Sequence, residues 1–244
     1  MPFTLAHPAI LLPFLKTKKH FLSATGLVVG SVVPDFDYLV KMSVKGQHSH
    51  SLTNLFLINL PVALVMAILF HKVIKNNLIG NLPAFFQSRF FALRQFDFIA
   101  YIKRYPFAFL AAAFFGAASH LLWDNFTHNG GFFVRYFSFY QSAIPYGGVK
   151  YPMFYALQQI STCVGLLSIS LYILFMKPQP ATVLTRPNLL YWAMVLLIST
   201  VFAFFRFALD RASLTIENLA LTSITAICCS FLVVGRMRFS RATN

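Results

Sequence analysis

Two imidazoles and a carboxylate recur four residues apart in Ser119-His120-Leu121-Leu122-Trp123-Asp124-Asn125-Phe126-Thr127-His128, which closes a long apolar run. On a helix, residues at that spacing lie one above the other on one face. His120 and Asp124 would then point into one site, with His128 a turn further along the same stripe. Asn129-Gly130-Gly131 supplies a helix stop. A neutral imidazole and a carboxylate converging from a rigid element can share one divalent cation. The plainer alternative is an interfacial helix end whose polar groups touch water.

Other residues of ligand type stand apart from this stretch. His7-Pro8 lies near the N-terminus, Pro34-Asp35-Phe36-Asp37 offers two carboxylates, and His48-Ser49-His50-Ser51 offers two imidazoles. Each has an ordinary reading. Asp35 could cap a helix, Asp37 could pair with Lys41 at i+4, and His7 could anchor a helical hairpin. Of the two histidines in the polar link, His50 is nearer the helix start and is the better ligand candidate. His20 and His71 sit beside lysines and read as interfacial. Glu217 suits the first turn of a last span electrostatically, and Arg206 with Asp210 reads as an ion pair. The chain holds no serine elbow, Walker loop or dinucleotide fingerprint.

The elements that must position these residues follow from composition. Of 244 residues 58% are hydrophobic and 11% charged, against about 25% charged in soluble domains. An all-α, polytopic helical membrane protein is expected, forming a single integral membrane domain over 1–244. Five stretches are long enough to span: Leu52–Ile74, Phe107–Asp124, Phe154–Met176, Leu189–Leu209 and Leu214–Val234. Pro61 should kink the first. Thr4–Leu15 and Phe21–Val33 are too short alone and read as an N-terminal helical hairpin bent at Lys16-Thr17-Lys18-Lys19. The segment 76–105 is basic and aromatic, suited to interfacial helices, and 130–151 reads as an aromatic, glycine-containing loop. Cys163, Cys228 and Cys229 fall in apolar runs and read as buried thiols. No basic region precedes the first apolar run, so no cleavable signal is expected.

The net charge of +14 reads as membrane topology and not as nucleic-acid binding. Threading the spans from the Lys16–Lys19 bend collects Lys72, Lys75, Arg89, Arg94, Lys103, Arg104, Lys177 and Arg186 on one side, which the positive-inside rule makes cytoplasmic. His7, Asp35, Asp37, His48, His50, His120, Asp124 and His128 then fall together at the outer ends of their segments.

Met1-Pro2-Phe3-Thr4-Leu5-Ala6-His7-Pro8, Gly30-Ser31-Val32-Val33-Pro34-Asp35-Phe36-Asp37-Tyr38, His48-Ser49-His50-Ser51 and the 119–128 stretch closely resemble an uncharacterised bacterial membrane family. That family is in turn similar to the membrane-bound metal-dependent hydrolases and, distantly, to zinc-dependent phospholipase C. The resemblance covers roughly residues 1–160. It implies His7, Asp35, Asp37, His50, His120, Asp124 and His128 as metal ligands. The further His and Glu that complete a trinuclear zinc site in the phospholipases have no counterpart at a recognisable spacing, so one or two metals are expected.

The expected function is a membrane-embedded, metal-dependent hydrolase of phosphoester or lipid-linked substrates in the bacterial inner membrane, its site facing the periplasm. The cofactor would be a divalent metal, zinc ahead of manganese or magnesium. Asp35 or Asp37 would orient or deprotonate the attacking water, and Arg135 or Lys150 would hold an anionic headgroup. Partners are the lipid bilayer and a phospholipid or lipid-linked substrate, with no nucleic acid. The rival class is a non-enzymatic membrane protein, a transporter subunit or scaffold with a structural metal site.

Overall fold

The computed structural model describes residues 4–18, 21–43, 52–179, 184–210, 214–237 and 239. A 3-10 helix, Thr4–Phe14, leads through the basic bend into α1, Ala24–Val32. A 3-10 turn, Val33–Asp35, precedes the short α2, Phe36–Lys41. The long helix α3, Leu55–Asn81, is followed by α4, Ala84–Gln95, and α5, Phe98–Arg104. Then come α6, Pro106–Thr127, and α7, Phe132–Tyr136. A two-stranded antiparallel ribbon, β1 Ala143–Tyr146 and β2 Val149–Pro152, leads into α8, Met153–Leu174. The chain ends with α9, Leu189–Leu209, and α10, Ile216–Val234. Among the described residues, five helices are long and apolar enough to cross a bilayer: α3, α6 continued into α7, α8, α9 and α10. The all-α polytopic architecture expected from composition is therefore the fold.

The residues form two compact units, one of 1–35, 49–64 and 105–175, the other of 36–48, 65–104 and 176–244. In the first, α1 packs along α6, and glycine makes that contact possible. A Cβ on Gly30 would overlap the Ala113 backbone, and one on Gly116 would overlap the Leu27 carbonyl. Small residues let membrane helices approach to backbone contact, where dispersion and hydrogen bonds act at short range. The 3-10 helix lies against both α1 and α8, with Ala6 touching the position where Gly165 lacks a side chain. Its winding departs from the α-helical arm of the expected hairpin. Pro8 and Pro13 each remove a donor within eleven residues, so an unbroken i→i−4 ladder cannot form. Residues three apart then eclipse, which puts Thr4 and His7 on one side, both buried.

The irregularity expected at Pro61 takes the form of a π turn, Leu55–Asn59, just before it, with the Leu60 amide donating to the Leu55 carbonyl. The wider winding accommodates the proline, which has no amide hydrogen to donate. The segment 130–151 is more ordered than a loop. Gly147 and Gly148 both have positive φ, 58° and 79°, the two-residue turn that matches strand twist and closes a hairpin.

In the second unit α9 packs on α10 around Tyr191, Val195 and Val234. Before α9 the chain is stapled: Thr185 N donates to Gln87 Oε1 at 2.9 Å, and Trp192 Nε1 to the Asn81 carbonyl at 2.8 Å. His71, expected at the membrane interface, is buried against protein, its ring stacked 4.5 Å from Phe98. The cysteines correct another expectation. All are free thiols, Cys163 and Cys228 exposed and Cys229 half-buried. An apolar run in a bilayer can face lipid, so apolarity alone does not imply burial against protein.

Candidate metal centre

The centre is assembled by α1, the 3-10 helix and α6 within the first unit. His120 and Asp124, four apart on α6, both turn inward, His120 fully buried and Asp124 8% exposed. The close α1–α6 approach brings the Ser31 carbonyl within 2.7 Å of His120 Nδ1. From the 3-10 helix His7, 1% exposed, stacks on His120 with ring centroids 3.7 Å apart and planes 14° from parallel. Its Nδ1 faces the Thr4 carbonyl at 3.3 Å. A carbonyl oxygen only accepts, so both rings carry a proton on Nδ1 and donate it.

That assignment determines what the other nitrogens do. His7 Nε2 stands 3.2 Å from Asp124 Oδ1, and His120 Nε2 stands 3.2 Å from Asp124 Oδ2. His120 Nε2 is also 3.5 Å from Asp35 Oδ1. In neutral rings these nitrogens are lone pairs aimed at carboxylate oxygens, and acceptors facing acceptors require positive charge between them. Protonating both rings would stack two cations at 3.7 Å, a repulsion of about 4 kcal/mol at an effective dielectric near 20. A single proton on His120 serves that ring alone, whereas one divalent cation would serve both Nε2 atoms without the cation stack. One donor atom from each of His7, His120 and Asp124 lies within 4.8 Å of the others. This buried group can hold a metal ion. Each histidine donating its second nitrogen to a backbone carbonyl is the usual support for a metal-bound imidazole.

The remaining candidates fall in different places. Asp35, 2% exposed, receives the Thr4 hydroxyl on Oδ2 at 2.6 Å, which leaves Oδ1 turned toward His120. His128 caps α6, its Nδ1 3.2 Å from Asp124 Oδ1, and its side chain is 25% exposed. It is the most open member of the cluster. Asp37 is engaged elsewhere, accepting from Lys41 Nζ at 2.8 Å, the i+4 pairing that was the alternative for it. Arg135 on α7 and Lys150 on β2 are both exposed. His48, His50 and His20 lie outside the described residues.

Two contributors were not anticipated as parts of the site, Thr4 and the Ser31 carbonyl. Thr4 lies three residues before His7, the eclipsing interval of a 3-10 helix, so its spacing carried a signal. The Ser31 carbonyl carried none, since every residue has one.

Comparison with curated proteins returns no match, and none is found among solved structures. Residues 1–236 match the family described as Domain of unknown function (DUF4184), so the chain belongs to that family.

Proposed function

We propose that this protein is a membrane-embedded, metal-dependent hydrolase of phosphoester or lipid-linked substrates, working at the outer face of the bacterial inner membrane. The observation that supports it best is the pair of imidazoles tethered through Nδ1 and turned through Nε2 toward the Asp124 carboxylate. Two nitrogens and a carboxylate favour zinc over the oxygen-seeking magnesium, and a three-ligand protein set leaves a coordination position for water or substrate. Asp124 has an oxygen toward each imidazole, which suits one cation or two. The resemblance to metal-dependent hydrolases points the same way.

Bound here, a divalent cation would supply Lewis acidity and lower the pKa of a coordinated water. The chain's own groups divide the remaining work. Asp35 Oδ1, turned toward His120, is placed to take a proton from an attacking water. Asp37, held by Lys41, is given no part. His128, the most open histidine of the cluster, marks the side from which substrate arrives, and Arg135 and Lys150 are available to an anionic headgroup.

Metal analysis of the detergent-purified protein tests this, paired with turnover of phosphodiester and phospholipid substrates before and after chelation. Bound metal with chelator-sensitive turnover is expected. Near-complete burial of His7 and His120 favours the second reading, a structural metal site in a transporter subunit or scaffold. Tight metal binding with no chelator-sensitive turnover would select it.

A further inference from the structure

The segment between α6 and α8 carries an unusual surface. No acidic residue lies between Asp124 and Asp210, and the only charged residues within 129–152 are Arg135 and Lys150. One face of α7 is anchored: Val134 is fully buried, and Phe133 stacks 3.9 Å from Phe126 of α6. The other side is open. Phe132, Tyr136 and Phe137 on and after α7, Phe139 beyond them, and Ile144 and Val149 on the ribbon are all exposed, Tyr136 by 73%. A two-stranded ribbon is marginal in water on its own, and here Ile144 and Val149 stay open. Exposed apolar side chains gathered in one short segment mark an interaction site.

We propose that residues 132–151 form a ledge that docks into the headgroup layer of the bilayer and holds anionic phospholipid there through Arg135 and Lys150. Three observations select lipid as the occupant. The segment begins with the last residues of one candidate span, Pro106–Tyr136, and leads into another, Met153–Leu174, so it lies at a membrane boundary. Its exposed rings include tyrosine, whose apolar body and polar tip suit the interface. Its charges are cationic and no acidic residue lies in the same stretch of sequence, which complements lipid phosphate. The proposal takes up the two cations that the hydrolase reading offers to a headgroup, but it requires the membrane architecture alone, and its readouts involve no turnover.

The test uses the full chain in nanodiscs, with Cys163, Cys228 and Cys229 replaced by Ala and a nitroxide attached at Val149→Cys. In the docked ledge the label collides with oxygen, which partitions into lipid, more than with a water-soluble nickel chelate. A label as open to the chelate as one in bulk water overturns the proposal. A label shielded from both reagents also overturns it, assigning the surface to a protein partner. Lipid preference is read separately, by native mass spectrometry of protein released from mixed phosphatidylglycerol and phosphatidylcholine discs. Each cation near an anionic surface gives about a fivefold preference, so the pair gives about thirtyfold. The double variant Arg135→Gln/Lys150→Gln, altered only at exposed side chains, should lose that preference. Retention of the full preference in it sinks the assignment of the two cations.

Discussion

His7 and Asp124 lie 117 residues apart in the chain and 3.2 Å apart in the fold, imidazole Nε2 to carboxylate Oδ1. The contact joins a proline-interrupted 3-10 helix to the penultimate turn of an apolar α-helix. It closes the group that can hold a metal ion. Removing Asp124 leaves two Nε2 lone pairs without their shared anionic partner. Asp124→Ala is expected to lower metal affinity by more than about 100-fold, beyond the 10–100-fold typical of a supporting residue. His71→Ala, in the second unit, should leave metal content unchanged. Elemental analysis of the purified variants reads both, and full metal in Asp124→Ala would remove the centre from consideration.

Thr4 contributes through Asp35. Its hydroxyl donates to Asp35 Oδ2 at 2.6 Å and so turns Oδ1 toward His120. Thr4→Val keeps the shape and deletes the donor, and is expected to weaken metal binding about 10–100-fold. Thr4→Ser keeps the donor and should stay close to the parent. Competition with a chromophoric chelator measures all three, and equal loss in Val and Ser variants would reduce Thr4 to a packing role.

The glycine contact between α1 and α6 is predicted to govern stability. A Cβ at Gly30 meets the Ala113 backbone, which has no flexible end to swing away. Gly30→Ala should destabilise by about 1–3 kcal/mol, seen in thermal unfolding in detergent. Gly130 meets nothing within 4 Å, so Gly130→Ala should change stability by no more than about 0.5 kcal/mol.

Acid is predicted to loosen α5. Asp97 Oδ1 accepts from the amides of Ala100 and Ile99, each at 3.0 Å. The bond to Ala100 first, opposed by desolvation, then the bond to Ile99 and the charges of Lys72 and Lys75, hold its carboxyl below its ordinary 3.8. A depressed folded-state pKa contributes stability that is present above the ordinary value and lost as pH falls through the lowered one. Hydrogen exchange at Ile99 and Ala100, corrected for its intrinsic pH dependence, should therefore accelerate only below that range. In Asp97→Asn, a good cap without a charge, the acid step should vanish.

Orientation can be read with reporters. Fusions within 130–151 should be active with a periplasmic reporter, and fusions within 76–105 with a cytoplasmic one. The opposite pattern would contradict the positive-inside count and move the proposed chemistry to the cytosol.

The helical, membrane-spanning character and the pairing of His120 with Asp124 were legible in the chain itself. Both depend on local regularities, hydrophobic length and a period near four, which operate before any tertiary contact forms. His7 and Asp35 were legible only as ligand types, because nothing local says which distant groups a 3-10 helix will meet. The choice between Asp35 and Asp37 was likewise undecided by sequence. Tertiary structure resolved their contacts: Asp35 turns to Thr4 and His120, whereas Asp37 meets Lys41. The ring tautomers depend on the Ser31 and Thr4 carbonyls, and backbone acceptors carry no residue signature. The burial of His71 and the exposure of Cys163 and Cys228 were decided the same way. Hydropathy records how apolar a helix is, and only packing decides which of its sides meets protein and which meets lipid.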